Sequence, residues 1–241
     1  MDSMNQFVDI SLDIIKKIRD EESPKIKTLA QKMAESTMQG GVIHWFGSGH
    51  SMLLTKEVYT RAGTLTNSKP ISLDNFLGKL ERIDGVGQAL MGSFTGLPGE
   101  ILIVVSTSGA NPLPIDVALI GKQMGLFTAA ITAMDHSLHV KSNHKSGKKL
   151  YEIVDLVIDT HAPFGDASLS TPDGAVRFGP LSTLAGVEIV HMLTAEVVDL
   201  LVASNVLPPI RMSRNIPGGD EHNHRIIEKY KNYDSQRNSA S

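Results

Sequence analysis

Two short apolar runs, residues 42–46 and 101–105, each break off into glycine and hydroxyl residues, GSGHS after the first and STSGANP after the second. Each loop then passes into an amphipathic pattern of helical period. A run of this kind reads as a parallel strand buried on both faces, and the loop after it opens a helix. Such a turn leaves backbone N–H groups unpaired at the positive end of the helix dipole, a setting that favours an anion. Gly47, Gly49 and Gly109 permit close backbone approach, while Ser48, Ser51, Ser106, Thr107 and Ser108 add short hydroxyl donors. Neither loop continues into Gly-Lys-Ser/Thr, so neither is a Walker A loop. The first also lacks the third glycine of a dinucleotide fingerprint.

The rest of the chain supplies a frame for these two loops. Phe7, Ile10, Ile14, Ile15 and Ile18 fall at helical spacing, and Ser23-Pro24 opens a second helix that Gly40-Gly41 closes. Strand one and its loop lead to a helix over about 51–62. A short second strand lies within 65–73, and a small helix near 86–94 interrupts a glycine-rich stretch over 78–99. Strand three and the Asn111-Pro112 cap are followed by a helix to about 124, then strands at 127–132 and 153–159. Alternating strands and helices give a parallel sheet with right-handed crossovers. The expected architecture is three-layer α/β, a flavodoxin-like five-stranded parallel sheet of order 2-1-3-4-5 with extra N-terminal and C-terminal helices. In that order strands one and three are neighbours at the topological switch point, where ligands bind. After a polar loop over 161–180, residues 181–204 form a helix apolar almost all round, expected to be largely buried. Residues 226–233 read as a short helix and 234–241 as disordered.

At 241 residues the chain has room for one sizeable α/β core. The expected division is helices over 1–40 packing on the domain or a dimer interface, the sheet domain over 41–204, and an extension over 205–241. A net charge of −3 without a Lys/Arg block gives no nucleic-acid footprint. With no cysteine, disulfides, thiolate metal sites and cysteine nucleophiles are excluded. The start of the chain is unlike a signal peptide and no apolar run reaches membrane-spanning length, so the expectation is a cytoplasmic protein without membrane contact. No cofactor is expected. The apolar surface of the helices at 4–20 and 181–204 exceeds what one small sheet covers, which predicts a homodimer or homotetramer.

GSGHS with STSG, followed by ITAMDHS, resembles the sugar isomerase (SIS) domain of phosphosugar isomerases and phosphosugar-binding proteins, over about residues 30–204. The resemblance implies the SIS fold and a phosphorylated sugar as ligand. Carried over, the phosphate and sugar contacts fall on Ser106, Thr107, Ser108, Gly109 and Asn111 in one loop, and Ser48, His50 and Ser51 in the other. Asn111 stands where threonine is common. Phosphoheptose isomerases are similar here too. They carry a glutamate in the helix after the first loop and a histidine in a C-terminal helix, at positions matching Glu57 and His191. In such relatives the site often lies at a subunit interface.

Aldose–ketose isomerisation moves a proton between adjacent carbons, so it needs a base beside them and a group that opens the sugar ring. Glu57 stands six residues beyond Ser51, roughly 9 Å along a helix axis, a plausible phosphate-to-carbon separation. Its alternative is an i,i+4 pair with Arg61 on a solvated face. His191 has its own alternative, a core histidine satisfied by Glu188 three residues earlier. His222 and His224 in the DEHNH run can be read as metal ligands, but the reading adopted is a solvated loop with no metal. Arg214 with Ser213 and Asn215 is a candidate to reach a neighbouring subunit's sugar, and His44 and Trp45 read as packing residues. The expectation is a phosphoheptose-isomerase-like enzyme. The alternatives are a non-catalytic sugar-phosphate-binding regulator, or a lyase like the N-acetylmuramic acid 6-phosphate etherases, which GPLSTLAGVEIVHMLTAEV also resembles.

Overall fold

The structure, a computed structural model, describes residues 2–73 and 78–238, with side chains described through 228. Helices α1 (Ser3–Lys17) and α2 (Ser23–Met38) are joined by one π turn, Ile18–Glu22, rather than by a break. Pro24 lacks the N–H that a continuous ladder would use there, and the wider turn carries the chain past it. That turn directs Glu22 into the protein, where its buried carboxylate accepts from the Asp159 N–H and from Lys25.

Strands β1 (Ile43–Gly47), β2 (Ser68–Pro70), β3 (Ile101–Val105), β4 (Phe127–Thr132) and β5 (Leu156–Asp159) form one parallel sheet in the order β2-β1-β3-β4-β5. This is the order expected from the sequence, with β1 and β3 paired in register from Ile43↔Ile101 to Gly47↔Val105. Every residue of β1 and β3 is buried, as a central strand covered on both faces requires. Side chains alternate between two cores. Ile101, Ile103 and Val105 join Ile43, Trp45 and Ile131 against α1, α2 and the long helix α7 (Ser182–Ala203). Leu102 and Val104 join Phe46 and Ala130 against α5 (Pro112–Gln123).

The remaining elements refine the reading. The helix α3 is only Met52–Glu57, and α4 is Val86–Met91. A short helix α6, Met134–His139, follows β4 directly, and β5 begins at Leu156 rather than at 153, after a 3-10 turn over Leu150–Glu152. The polar stretch 161–180 contains a small antiparallel hairpin, β6 (Leu169–Ser170) with β7 (Arg177–Phe178). Helix α7 buries one stripe, including Ala185, Ile189, Leu193 and Val197, while Val202 on its other side stays 59% exposed.

The C-terminal extension is tied back to the domain. Leu65 bridges Ile210, and Gly63 N–H and Thr66 N–H donate to the carbonyls of Arg211 and Pro209. Its helix α8, Gly219–Asn238, is far longer than the expected 226–233. The DEHNH run is therefore helical, not a solvated loop. Asp220 and Glu221 sit in its first turn, where the helix dipole favours them. His222 Nε2 lies 2.9 Å from the Ile210 carbonyl, and the Asn223 amide bridges both backbone groups of Met212. Backbone at 234–238, expected to be disordered, is helical; residues 239–241 lie outside the described residues.

Candidate functional site

Both hydroxyl-rich loops leave the carboxyl ends of adjacent strands, so they meet. Between them opens a cavity of ≈ 420 Å³, floored by Ser48 and Ser51 from the first loop and Ser106, Thr107 and Ser108 from the second. The first loop turns back so tightly that a Cβ on Gly47 would stand 2.5 Å from the Ser51 carbonyl oxygen. In the second, Gly109 takes φ +57° and lies against Leu150, Ser137 and Thr132. That turn lets the Gly109 N–H donate to Ser106 Oγ at 3.1 Å and the Ala110 N–H to Ser108 Oγ at 3.4 Å. Each hydroxyl oxygen accepts from its own loop, so each hydroxyl hydrogen is left to donate into the cavity. The loop is anchored from β4, because the Ala133 N–H and the Thr132 hydroxyl both donate to the Thr107 carbonyl. A ring of short donors on rigid strand ends has the chemistry to hold a small anion.

Of the residues singled out in the sequence, Ser48, His50, Ser51, Ser106, Thr107 and Ser108 share this one wall. Gly109 shapes it from behind. Asn111 is used differently: its amide donates to Glu81 Oε2 at 2.8 Å and its carbonyl oxygen accepts from Asn143 at 3.1 Å. It thereby fixes the Glu81 carboxylate, which lines the cavity.

Glu57 and His191 are brought together, but not on this wall. Glu57 Oε1 is 2.9 Å from His191 Nε2, and Glu57 Oε2 accepts from Arg61 at 2.6 Å. The His191 partner is thus Glu57 of α3 and not Glu188 of its own helix, because residue 191 falls on the face of α7 that meets α3. The glutamate side chain is 16% exposed and the histidine 43%, so the pair stands at the surface. His44 does more than pack, forming a buried pair with Glu100 at 2.8 Å. Burial pushes the Glu100 carboxyl up, but hydrogen bonds from His44 and from the N–H groups of Leu97 and Val42 outweigh it and hold it below the ordinary range. Among the described residues no cluster of three or more His, Asp or Glu is arranged to hold a metal.

Sequence reasoning missed the upper wall, formed by Glu81, His136, Thr160, Asp166, Ser182 and Thr183. Asp166 caps α7 from outside it. Its Oδ1 accepts the N–H groups of Leu181 and Ser182 at 3.0 and 2.8 Å, and its Oδ2 accepts the Ser182 hydroxyl at 2.6 Å. A cap sixteen residues from the helix it serves leaves no local signature. His136 was visible only as a letter in ITAMDHS, since nothing in its spacing tells which way α6 faces.

A doubly wound sheet with two hydroxyl loops closing on a cavity at the switch point defines a SIS domain, and the SIS domain model matches residues 6–133. Within that class the chain belongs to the UPF0309 family. It is 40% identical over 236 residues to a UPF0309 protein of Geobacillus kaustophilus, covering 95% of this chain and 94% of that one. The same fold is found in a phosphoheptose isomerase from Francisella tularensis, with a TM-score of 0.56 at 14% identity over 81% of this chain and 96% of that one. It is found again in the Vibrio vulnificus NanR protein complexed with ManNAc-6P, with a TM-score of 0.52 at 13% identity over 95% of this chain and 68% of that one. Among the described residues no helix is long and apolar enough to cross a membrane.

Proposed function

We propose that this protein binds a phosphorylated sugar in the cavity and interconverts its aldose and ketose forms. The observation that carries the reading is the convergence of Ser48, Ser51, Ser106, Thr107 and Ser108 on one ≈ 420 Å³ cavity that Glu81, His136 and Asp166 also line. The hydroxyls and loop amides hold the phosphate, with His50 beside them. Glu81 and the upper wall face the sugar. A similar structure, that of NanR, was solved with a sugar phosphate, and another belongs to a phosphoheptose isomerase.

Glu57 is the proton-transfer base in this reading and His191 the ring-opening group. Because they pair at the surface, away from their own chain's cavity, they act in the cavity of a second copy, within a homodimer or homotetramer. The exposed apolar residues Met4, Val8 and Leu12 run along one face of α1 and give that assembly a surface to bury. The same placement of Glu57 and His191 favours a second reading, a protein that binds the sugar phosphate without converting it.

Thermal-shift measurement against phosphorylated aldoses, ketoses and amino sugars tests the binding, because a ligand at a hundred times its Kd adds about 2.7 kcal/mol of stability. A phosphorylated sugar should raise the Tm where its dephosphorylated form does not. Turnover of that sugar supports the isomerase; binding without turnover supports the second reading; no response from any phosphorylated sugar refutes both.

A further inference from the structure

Most polar groups on the cavity wall are already committed. The serines and Thr107 form the phosphate end, with His50 on the same first loop. Asp166 accepts three hydrogen bonds, and the Ser182 hydroxyl donates its hydrogen to it. Glu81 can only accept when ionised. Isomerisation, however, needs a donor away from the phosphate. As the C2 proton leaves to the base, its electron pair forms the C1=C2 bond and the carbonyl pair moves onto O1. That oxygen becomes an oxyanion, and a donor fixed in advance on it lowers the barrier.

His136 has this form. The Gly165 N–H donates to its Nδ1 at 3.0 Å, so that nitrogen presents its lone pair and the ring hydrogen resides on Nε2. The ring stacks on Phe164 at 5.2 Å between centroids, and the Phe164 N–H donates to Asp135 one residue before His136. Helix α6 follows β4, the neighbour of β3, and the imidazole lines the same cavity as the Ser106–Ser108 loop. Nε2 is the ring nitrogen without a described partner. Thr160 and Thr183 also carry hydroxyls there, but a hydroxyl hydrogen rotates, whereas this N–H has one direction.

We infer that His136 is a catalytic residue: its Nε2–H donates to the carbonyl oxygen of the open-chain sugar and to the oxyanion that forms from it. The inference rests on the phosphosugar reading and adds to it a role inside the chain's own cavity.

The test pairs His136→Phe, which keeps the ring on Phe164 and removes both nitrogens, with His136→Gln, which restores an N–H. Probes are inorganic phosphate and phosphorylated aldonohydroxamates of five to seven carbons, which mimic the enediolate. His136→Phe should bind phosphate as the parent does, lose on the order of 100-fold in hydroxamate affinity and in kcat, and recover part of both as His136→Gln. If His136→Phe binds the hydroxamate within threefold of the parent, the inference is overturned and the phosphosugar reading stands. If the parent itself binds phosphate but no hydroxamate and no phosphorylated sugar, that reading falls and the inference with it.

Discussion

Replacing Asp166 should unfasten the start of α7, and the size of the effect follows from its bonds. One carboxylate serves the N–H groups of Leu181 and Ser182 and the Ser182 hydroxyl, all at 3.0 Å or less. Loss of an N-cap costs about 1–2 kcal/mol, and loss of a negative charge at a helix N-terminus adds about 0.3–1 kcal/mol. Asp166 also adopts φ +58°, a conformation in which alanine is penalised by roughly 1 kcal/mol. Helix α7 packs against the central core, so the loss is felt by the whole domain. Asp166→Ala should therefore lose about 3 kcal/mol in urea unfolding, and Asp166→Gly about 1 kcal/mol less than that because glycine tolerates the backbone. Asp166→Asn keeps one carbonyl acceptor, and its amide can donate to Ser182; it should lose under about 1 kcal/mol. At about 2–4 °C per kcal/mol for a chain of this size, the alanine variant melts roughly 6–12 °C below the parent. Unfolding free energies for all three within about 0.5 kcal/mol of the parent, or an asparagine variant as weak as alanine, would refute the capping argument.

Gly47→Ala should fail at the first loop, because its Cβ would meet backbone of Ser51 at 2.5 Å; soluble protein with unchanged phosphosugar affinity would contradict this. The Glu100 carboxyl is held below its ordinary range, so its contribution to stability is complete above that range and is lost as the pH falls through its lower folded value. Glu100→Gln should flatten that part of the acid-unfolding profile, and an unaltered profile would show that the His44 pair does not govern it. Sedimentation should give a dimer or tetramer at micromolar concentration; a stable monomer would remove the second-copy role of Glu57 and His191. On the isomerase reading Glu57→Gln should abolish most turnover with affinity retained, and His191→Asn should penalise a cyclic substrate more than an open-chain analogue.

The centre of the sheet was legible because β1 and β3 are largely apolar runs ended by glycine or hydroxyl residues, and burial on both faces makes such runs continuous. That the two hydroxyl loops meet was legible for a related reason: both follow strands that the expected sheet order makes neighbours. The upper wall was not legible. Asp166, Glu81 and His136 lie on segments without periodicity, and their direction is set by tertiary bonds to Ser182, Asn111 and Gly165. The length of α8 was missed because its first turn reads as turn-forming Gly-Asp and polar residues. Its backbone is held by contacts of His222 and Asn223 to residues 210–212. The Glu188 alternative for His191 does not hold, because the rotation of α7 relative to α3, which sequence does not give, turns His191 to Glu57.

In the phosphosugar reading the hydroxyls of Ser106 and Ser108, which line the cavity, seat the sugar's phosphate. Calorimetric titration of the parent and of the Ser106→Ala, Ser108→Ala double variant should use a phosphorylated sugar that stabilises the parent, alongside its dephosphorylated form. Two hydrogen bonds to a charged group are removed, each worth about 1.5–3 kcal/mol. The double variant should therefore bind at least 100-fold more weakly while melting as a folded protein, with the dephosphorylated sugar binding to neither. Affinity in the double variant within threefold of the parent would move the phosphate out of this cavity and contradict the account.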